Sequence, residues 1–207
     1  ISPNSELLVT GEDGGWVNLW DLKRNCFVDT LEGLPPDRDV TSLAWSSNGK
    51  YIAASAGKAV AIWLADTREL FKLLKIHHRD VVDVHFSLDS TMLLSAGEDE
   101  VTRPWVIEGG HVKGGHQLTG RSLRGCPCST SLSPDGKETV ACYSDGRMEC
   151  IEENKQIEMF PGVMHVTFSP DNEHVAICGR NNAISVQRIP PVSRSVDRHP
   201  TSFYGRD

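Results

Sequence analysis

No stretch of this 207-residue chain stays apolar for the ~18 residues that a membrane-spanning helix requires. A helical span is thereby excluded, and no membrane partner is expected. Positive charge is also scarce: 21 Lys and Arg face 28 Asp and Glu, a net charge of −7. A large nucleic-acid footprint needs a basic face, so direct nucleic-acid binding is not expected beyond a local patch. The six cysteines lack the spacing of a zinc site or a disulfide framework. They read as small core residues in a reducing, intracellular compartment, cytoplasmic or nuclear. Cys126-Pro127-Cys128 has the look of a redox pair, but next neighbours along a strand do not face one another for bonding. His111 and His116, flanked by glycine pairs, have no third ligand. No metal and no cofactor are expected. No signal peptide is visible, and the chain opens on Ile1 instead of Met.

What the chain does contain is repetition. With 39% hydrophobic and 24% charged residues it can bury an ordinary core. The stretch from Arg79 to Trp105 reads as three short strands, VVDVHFS, MLLSAG and one ending at Trp105, joined by SLDST and GEDE. Similar triplets precede and follow it. An apolar residue and a serine close each first strand, at Ile1, Trp45, Phe86, Leu132 and Phe168. The turns SPNSE, SSNGK, SLDST, SPDGK and SPDNE come next, and third strands end near Trp20, Trp63, Trp105, Cys150 and Gln187. A period of about 40 residues with four short strands per unit is that of a propeller blade.

On these residues the chain resembles the WD-repeat family over roughly residues 1–189. WVNLWD at Trp16 to Asp21 carries the Trp-Asp ending of that family. The resemblance implies an all-β propeller of about five four-stranded blades, the first and last incomplete. It also implies an internal relay in which a Trp N–H bonds a Ser hydroxyl, the Ser bonds a His, and the His bonds an Asp. His77, Ser95, Asp99 and Trp105 match those positions in the central unit, with Ile76 in place of the usual Gly. A buried Trp and His each need a partner, which the relay would supply. The same residue types could suggest hydrolysis, but they match a blade and not a nucleophile turn. Elsewhere the relay thins. The first unit keeps Thr10 and Trp20 with Asp13 one place off register, and the second keeps Ser55 and Trp63 with Pro36 at the His position. The fourth and fifth lose the Trp, so apolar packing and ladder hydrogen bonds alone are expected to hold them.

Blades are expected over residues 1–33, 34–76, 77–120, 121–160 and 161–189, followed by a polar, locally basic tail at 190–207. LADTRELFKLLKI has helical propensity, but the repeat register makes its second half a strand. Pro104 should make one side of its strand irregular. IEGGHVKGGHQLTGRSLRG reads as a long hairpin loop with a weak outer strand. About four and three-quarter blades are present, which favours part of a larger, commonly seven-bladed propeller over a closed ring of five. Its open edge would be met by further blades of the same chain, by a partner strand, or by TSFY in the tail.

The family resemblance implies a non-catalytic scaffold that binds other proteins through its loops. Among the loops entering first strands and the turns between second and third strands, Arg38, His78, Arg79, Arg124, Arg147 and Arg180 are the candidate partner-binding residues, arginine being favoured at interface hot spots. Alternatives are the sensor domain of a larger signalling NTPase, a ligase substrate receptor, and an RNA- or chromatin-associated protein. A five-bladed hydrolase would need converging carboxylates, and the inner strands offer only Asp83.

Overall fold

Each repeat opens on a serine whose hydroxyl closes a turn. Ser2, Ser46, Ser87, Ser133 and Ser169 accept the backbone N–H five residues on, from Leu7, Tyr51, Met92, Glu138 and His174, at 2.8–3.0 Å. Four of them also donate to a side-chain oxygen two residues on, at Asn4, Asn48, Asp89 and Asp171. This competition of side chain with backbone fixes a tight turn wherever Ser-x-Asx precedes a strand. The turn ends in a left-handed residue, Ser5, Gly49 or Ser90 in the first three repeats.

The computed structural model describes residues 1–75, 77–114, 127–134, 138–150, 155–159, 162–171, 173–180 and 184–188. Five antiparallel sheets follow one another in chain order. The first holds β1 (Leu7–Gly11), β2 (Val17–Asp21) and β3 (Cys26–Leu31). The second holds β4 (Val40–Trp45), β5 (Tyr51–Ala56), β6 (Ala59–Leu64) and β7 (Leu70–Leu74). The third holds β8 (Val81–Phe86), β9 (Met92–Gly97), β10 (Thr102–Glu108) and β11 (His111–Gly114). The fourth holds β12 (Pro127–Leu132), β13 (Thr139–Tyr143), β14 (Arg147–Cys150) and β15 (Lys155–Met159). The fifth holds β16 (Val163–Phe168), β17 (His174–Gly179) and β18 (Ile184–Arg188). This is an all-β propeller architecture with four-stranded blades in the middle and three-stranded sheets at either end among the described residues. No described helix is long and apolar enough to cross a membrane.

The core lies between sheets. Val17, Leu19 and Leu31 of the first pack on Ile52, Ala54, Ala56 and Trp63 of the second. Ala53, Val60 and Ile62 on the opposite face of the second meet Val81, Val84, Leu93 and Trp105 of the third. Because β5 is covered on both faces, it reads as a near-continuous apolar run with small residues where sheets approach. Val140, Cys142 and Met148 of the fourth pack on Val163, Val166, Phe168 and Ile177 of the fifth. None of these clusters bridges the third and fourth sheets among the described residues.

A polar stitch runs through the joints from the second sheet to the fifth. Each complete inner strand shifts register after its first residue, between Val40 and Ser42, Val81 and Asp83, Pro127 and Ser129, and Val163 and His165. A bulge re-aims the side chains beside it. The residue after the bulge then accepts a backbone N–H from the next inner strand: Val84 on Ser42 at 3.3 Å, Thr130 on Asp83 at 2.8 Å, Val166 on Ser129 at 3.5 Å. Asp83 also accepts from Ser42 Oγ at 3.0 Å, from Val84 N–H at 3.0 Å and from His85 Nε2 at 3.1 Å. Ser131 adds a bond from Phe168 N–H at 3.0 Å. The fourth and fifth sheets therefore do not rely on apolar packing and ladder bonds alone, contrary to expectation.

The β9–β10 ladder passes through Pro104↔Leu94 without a register shift, and the described β10–β11 pairing ends at Trp105↔Gly114 without including Pro104. The weak outer strand expected after Glu108 is His111–Gly114: Gly109 and Gly110, both at positive φ, turn the chain so that it pairs with β10. His116 and the tail with TSFY lie outside the described residues. The stretch with helical propensity is a strand at Leu70–Leu74.

Asp83→Ala removes an acceptor shared by three inner strands and leaves the buried Thr130 N–H without its partner. We expect a loss of about 3 kcal/mol in urea denaturation, and a smaller loss for Asp83→Asn, which keeps an oxygen for Thr130. An unchanged midpoint for Asp83→Ala would show that the joint does not depend on this carboxylate.

Candidate functional site

In the third sheet one chain of hydrogen bonds runs from β10 to the loop before β8. The Trp105 indole N–H donates to Ser95 Oγ at 2.9 Å. Ser95 lies 2.8 Å from His77 Nε2, and His77 Nδ1 lies 2.9 Å from Asp99 Oδ1. Asp99 also accepts the backbone N–H of His78 at 2.9 Å. Burial, which outweighs the neighbouring Asp99, lowers the pKa of His77 and keeps the ring neutral. Burial works to raise the Asp99 carboxyl, but bonds from His77 and the His78 N–H hold it below its ordinary range. The protons follow: Ser95 O–H donates to Nε2, and Nδ1–H donates to the carboxylate. Gly97 permits the approach, since a Cβ there would stand 2.5 Å from His77 Nδ1. With every polar atom committed inward, these four residues tie a loop to its blade and leave no group free for chemistry on a substrate.

That loop belongs to one face of the molecule. The turns between second and third strands meet the loops entering first strands, through Val40 N–H to Glu12 O, Val81 N–H to Gly57 O, Glu98 N–H to Asp80 O and Arg180 N–H to Gly162 O, at 2.7–3.2 Å. The stem of Arg38 lies over Gly57, where a Cβ would clash with it, and its guanidinium reaches Asp80 at 3.5 Å. The Arg38 side chain remains half exposed, and His78, Arg79 and Arg180 are exposed. Beside the Arg38 loop sits Trp16, 53% exposed, on the turn that packs against Pro35 and Pro36.

Comparisons with known proteins agree with this geometry. The model of the "WD domain, G-beta repeat" matches residues 26–63. Human WD repeat-containing protein 18 is 29% identical over 105 residues, half of this chain and 24% of its own length. Its zebrafish (Danio rerio) counterpart is 24% identical over 96% of this chain and 48% of its own length. Human F-box-like/WD repeat-containing protein TBL1X is 28% identical over 54% of this chain and 22% of its own. The crystal structure of the Myceliophteria thermophila Cps50 (Swd1) β-propeller domain superposes with a TM-score of 0.78 at 15% identity, covering 95% of this chain and 67% of that one. The chain is similar to WD-repeat proteins in sequence and shares their propeller fold. It spans less than half the length of these curated relatives.

WD-repeat propellers are in general non-catalytic interaction scaffolds, and the site residues here are arranged differently from what the repeat pattern alone suggests. In the first blade the Trp20 indole donates to Thr10 at 2.9 Å, as in the third. In the second, Trp63 donates to the Glu32 carbonyl at 2.8 Å, and Ser55 is not its partner. The two-residue turn at Gly57-Lys58 shortens the hairpin, so Trp63 pairs with Ile52 and shares its face, whereas Ser55 is an odd step away and points to the other side. There it meets Thr41 Oγ1 at 2.8 Å. Cys150 pairs with Val140, which is the register of Pro104 and not of Trp105.

Arg147 is not a free candidate either. Its side chain is only 12% exposed, lies 5.1 Å over the Tyr143 ring, and is paired with Asp145 at 2.6 Å and Glu149 at 3.4 Å. Arg124 lies outside the described residues. Sequence reasoning missed Trp16, which it counted only as the start of the WVNLWD motif. The available signal was that Trp20, Trp63 and Trp105 already fill the third-strand position, leaving Trp16 without one. It also missed a cavity of about 240 Å³ on the opposite face, lined by His85, Phe86, Leu88, Leu132, Pro134 and Phe168.

Trp105→Ala should cost about 3–5 kcal/mol in chemical denaturation, as for large core truncations, and Ser95→Ala about 1–3 kcal/mol, by leaving the indole N–H unpaired. The pH dependence has a definite sign. The pKa of His77 is lower in the folded chain than the ordinary value of about 6.5. The stability contributed by the neutral ring is complete above that value and is lost as pH falls from it towards the folded-state pKa. Wild-type stability is therefore expected to drop below about pH 6.5, and His77→Gln to flatten that part of the curve. A curve of the same shape in both proteins would remove His77 as the titrating group.

Proposed function

We propose that this chain is a non-catalytic, intracellular protein-binding scaffold whose docking surface is the face built from Trp16, Pro36, Arg38, His78, Arg79 and Arg180. The observation that supports it is the half-exposed Trp16 set beside the Pro35–Arg38 loop. Solvent exposure of an indole is costly, and Trp and Arg dominate interface hot spots. Arg38 is held by Gly57 beneath it and by Asp80 beside it, so little entropy is lost on binding. Charges of both signs share the face, with Asp37, Asp39 and Asp80 among the arginines. That mixture suits a protein partner better than a phosphate backbone. The five-blade division given above and the continuation into a larger propeller belong to the same reading, as does the chain being one module of a longer assembly protein.

The test is affinity purification followed by binding measurements with each partner recovered. Trp16→Ala and Arg38→Glu should each weaken a genuine partner at least about tenfold, the loss of one hot-spot residue, with no change in thermal midpoint. Leu88→Ser, on the opposite face, should leave binding intact. Partners lost with Leu88→Ser and kept with Trp16→Ala would move the docking surface to the other side.

A further inference from the structure

The bulge in each inner strand creates a second recurring position, filled differently in every blade. The bulged residue and the residue opposite it on the next strand are Thr41 and Ser55 in the second blade, Val82 and Ala96 in the third, Cys128 and Cys142 in the fourth, and Met164 and Cys178 in the fifth. In the second blade the two hydroxyls touch at 2.8 Å, and Thr41 donates to the Val81 carbonyl of the next blade at 2.6 Å. The fourth blade repeats that geometry in sulfur. Cys128 Sγ lies 3.7 Å from Cys142 Sγ and 3.4 Å from the Val163 carbonyl of the fifth blade. Cys142 in turn lies 3.3 Å from the Ser129 carbonyl.

We propose that Cys128 and Cys142 form a peroxide-sensitive dithiol that closes to a disulfide within the fourth blade. The two residues lie across a bulge, where Cys128 and Ser129 of one strand face Cys142 of the other, so the two thiols sit side by side. Rotation of the side chains has to bring the sulfurs from 3.7 Å to a bond of about 2.05 Å. The two thiols divide the work. Cys128 is partly exposed, and its shared bond with the Cys142 thiol lowers its pKa. Cys142 is buried, and the same shared bond together with burial pushes its pKa up, so it stays protonated. Cys128 is thus the nucleophile. Its thiolate attacks one peroxide oxygen, the O–O bond breaks, and the departing hydroxide takes up a proton to leave as water, giving a sulfenic acid on Cys128. Cys142 sulfur then attacks the Cys128 sulfur, loses its proton, and displaces the sulfenic oxygen as a second water. Two thiols and one hydrogen peroxide yield one disulfide and two waters, the thiols being oxidised and the peroxide reduced. Both sulfhydryl protons leave, so the Val163 and Ser129 carbonyls lose their donors at the joint between the fourth and fifth blades. The tandem Cys126-Pro127-Cys128 is not needed, because the partner of Cys128 lies across the ladder.

The experiment exposes the full chain to hydrogen peroxide, blocks free thiols, and digests without reductant for mass spectrometry. We expect a cross-linked peptide pair joining Cys128 to Cys142, lighter by two hydrogens and reversed by dithiothreitol. Cys142→Ser copies the hydroxyl found at Ser55, so the blade should fold, and Cys128 should then accumulate as a sulfenic acid trapped by dimedone. Cys128→Thr combined with Cys142→Ser reproduces the second-blade pair and should resist oxidation. The proposal is overturned by a Cys126–Cys128 bridge, by dimedone labelling of wild-type Cys128 without a cross-link, or by both thiols remaining reduced when exposed Cys26 and Cys178 are oxidised.

Discussion

The structure depends on backbone N–H groups of each inner strand finding an acceptor in the blade before it. A propeller must hold neighbouring sheets face to face while their inner strands converge, and apolar packing alone does not fix how far one sheet slides against the next. The stitch from Ser42 to Val84, from Asp83 to Thr130 and from Ser129 to Val166 fixes that position three times over. It bears most weight between the third and fourth sheets, where no shared apolar cluster lies among the described residues. There the acceptor is a carboxylate and not a hydroxyl. Burial works against the charge of Asp83, but bonds from His85, the Thr130 N–H and Ser42 overcome it and keep the carboxyl below its ordinary range. A charge-assisted bond is about twice as strong as a neutral one. The joint poorest in apolar contact therefore carries the strongest polar one. The same commitments explain why Asp83, the sole carboxylate on the described inner strands, is not disposed as a catalytic group.

How much of this was legible in the sequence follows from the range of each interaction. The serine turns are local: a hydroxyl bonds atoms two and five residues away, so Ser-x-Asx before a strand announces itself. The match of His77, Ser95, Asp99 and Trp105 to a known pattern was equally visible. The bulges were not, because an extra residue in an inner strand leaves the run apolar and merely changes which side chains face the next blade. Ser55 shows the cost. It stands beside an apparently matching Trp63, yet a hairpin shortened to two residues turns the two to opposite faces. A spacing of eight between Ser55 and Trp63, against ten between Ser95 and Trp105 or Thr10 and Trp20, was the available sign. Arg147 was misjudged for a different reason. A turn arginine looks exposed, but Tyr143, Asp145 and Glu149 close around it.

The indole obligations give the last step. A buried Trp N–H must be satisfied, and here three tryptophans reach two kinds of acceptor: a hydroxyl at Thr10 and at the relay serine Ser95, and the Glu32 carbonyl. The requirement is for an acceptor at the right place, not for a particular residue, so the relay can lapse wherever another oxygen serves. In the fifth blade Gln187 pairs with Val175 as Trp105 pairs with Leu93, and the indole obligation disappears with the indole. The bulge pair is looser still. It needs volume, and where a hydrogen is present, a carbonyl of the next blade to receive it. Hydroxyls, aliphatics, thiols and a thioether all meet that condition in this one chain. A position so tolerant of its occupants can acquire two cysteines without loss of fold, and once they face each other across a bulge their chemistry follows from proximity alone.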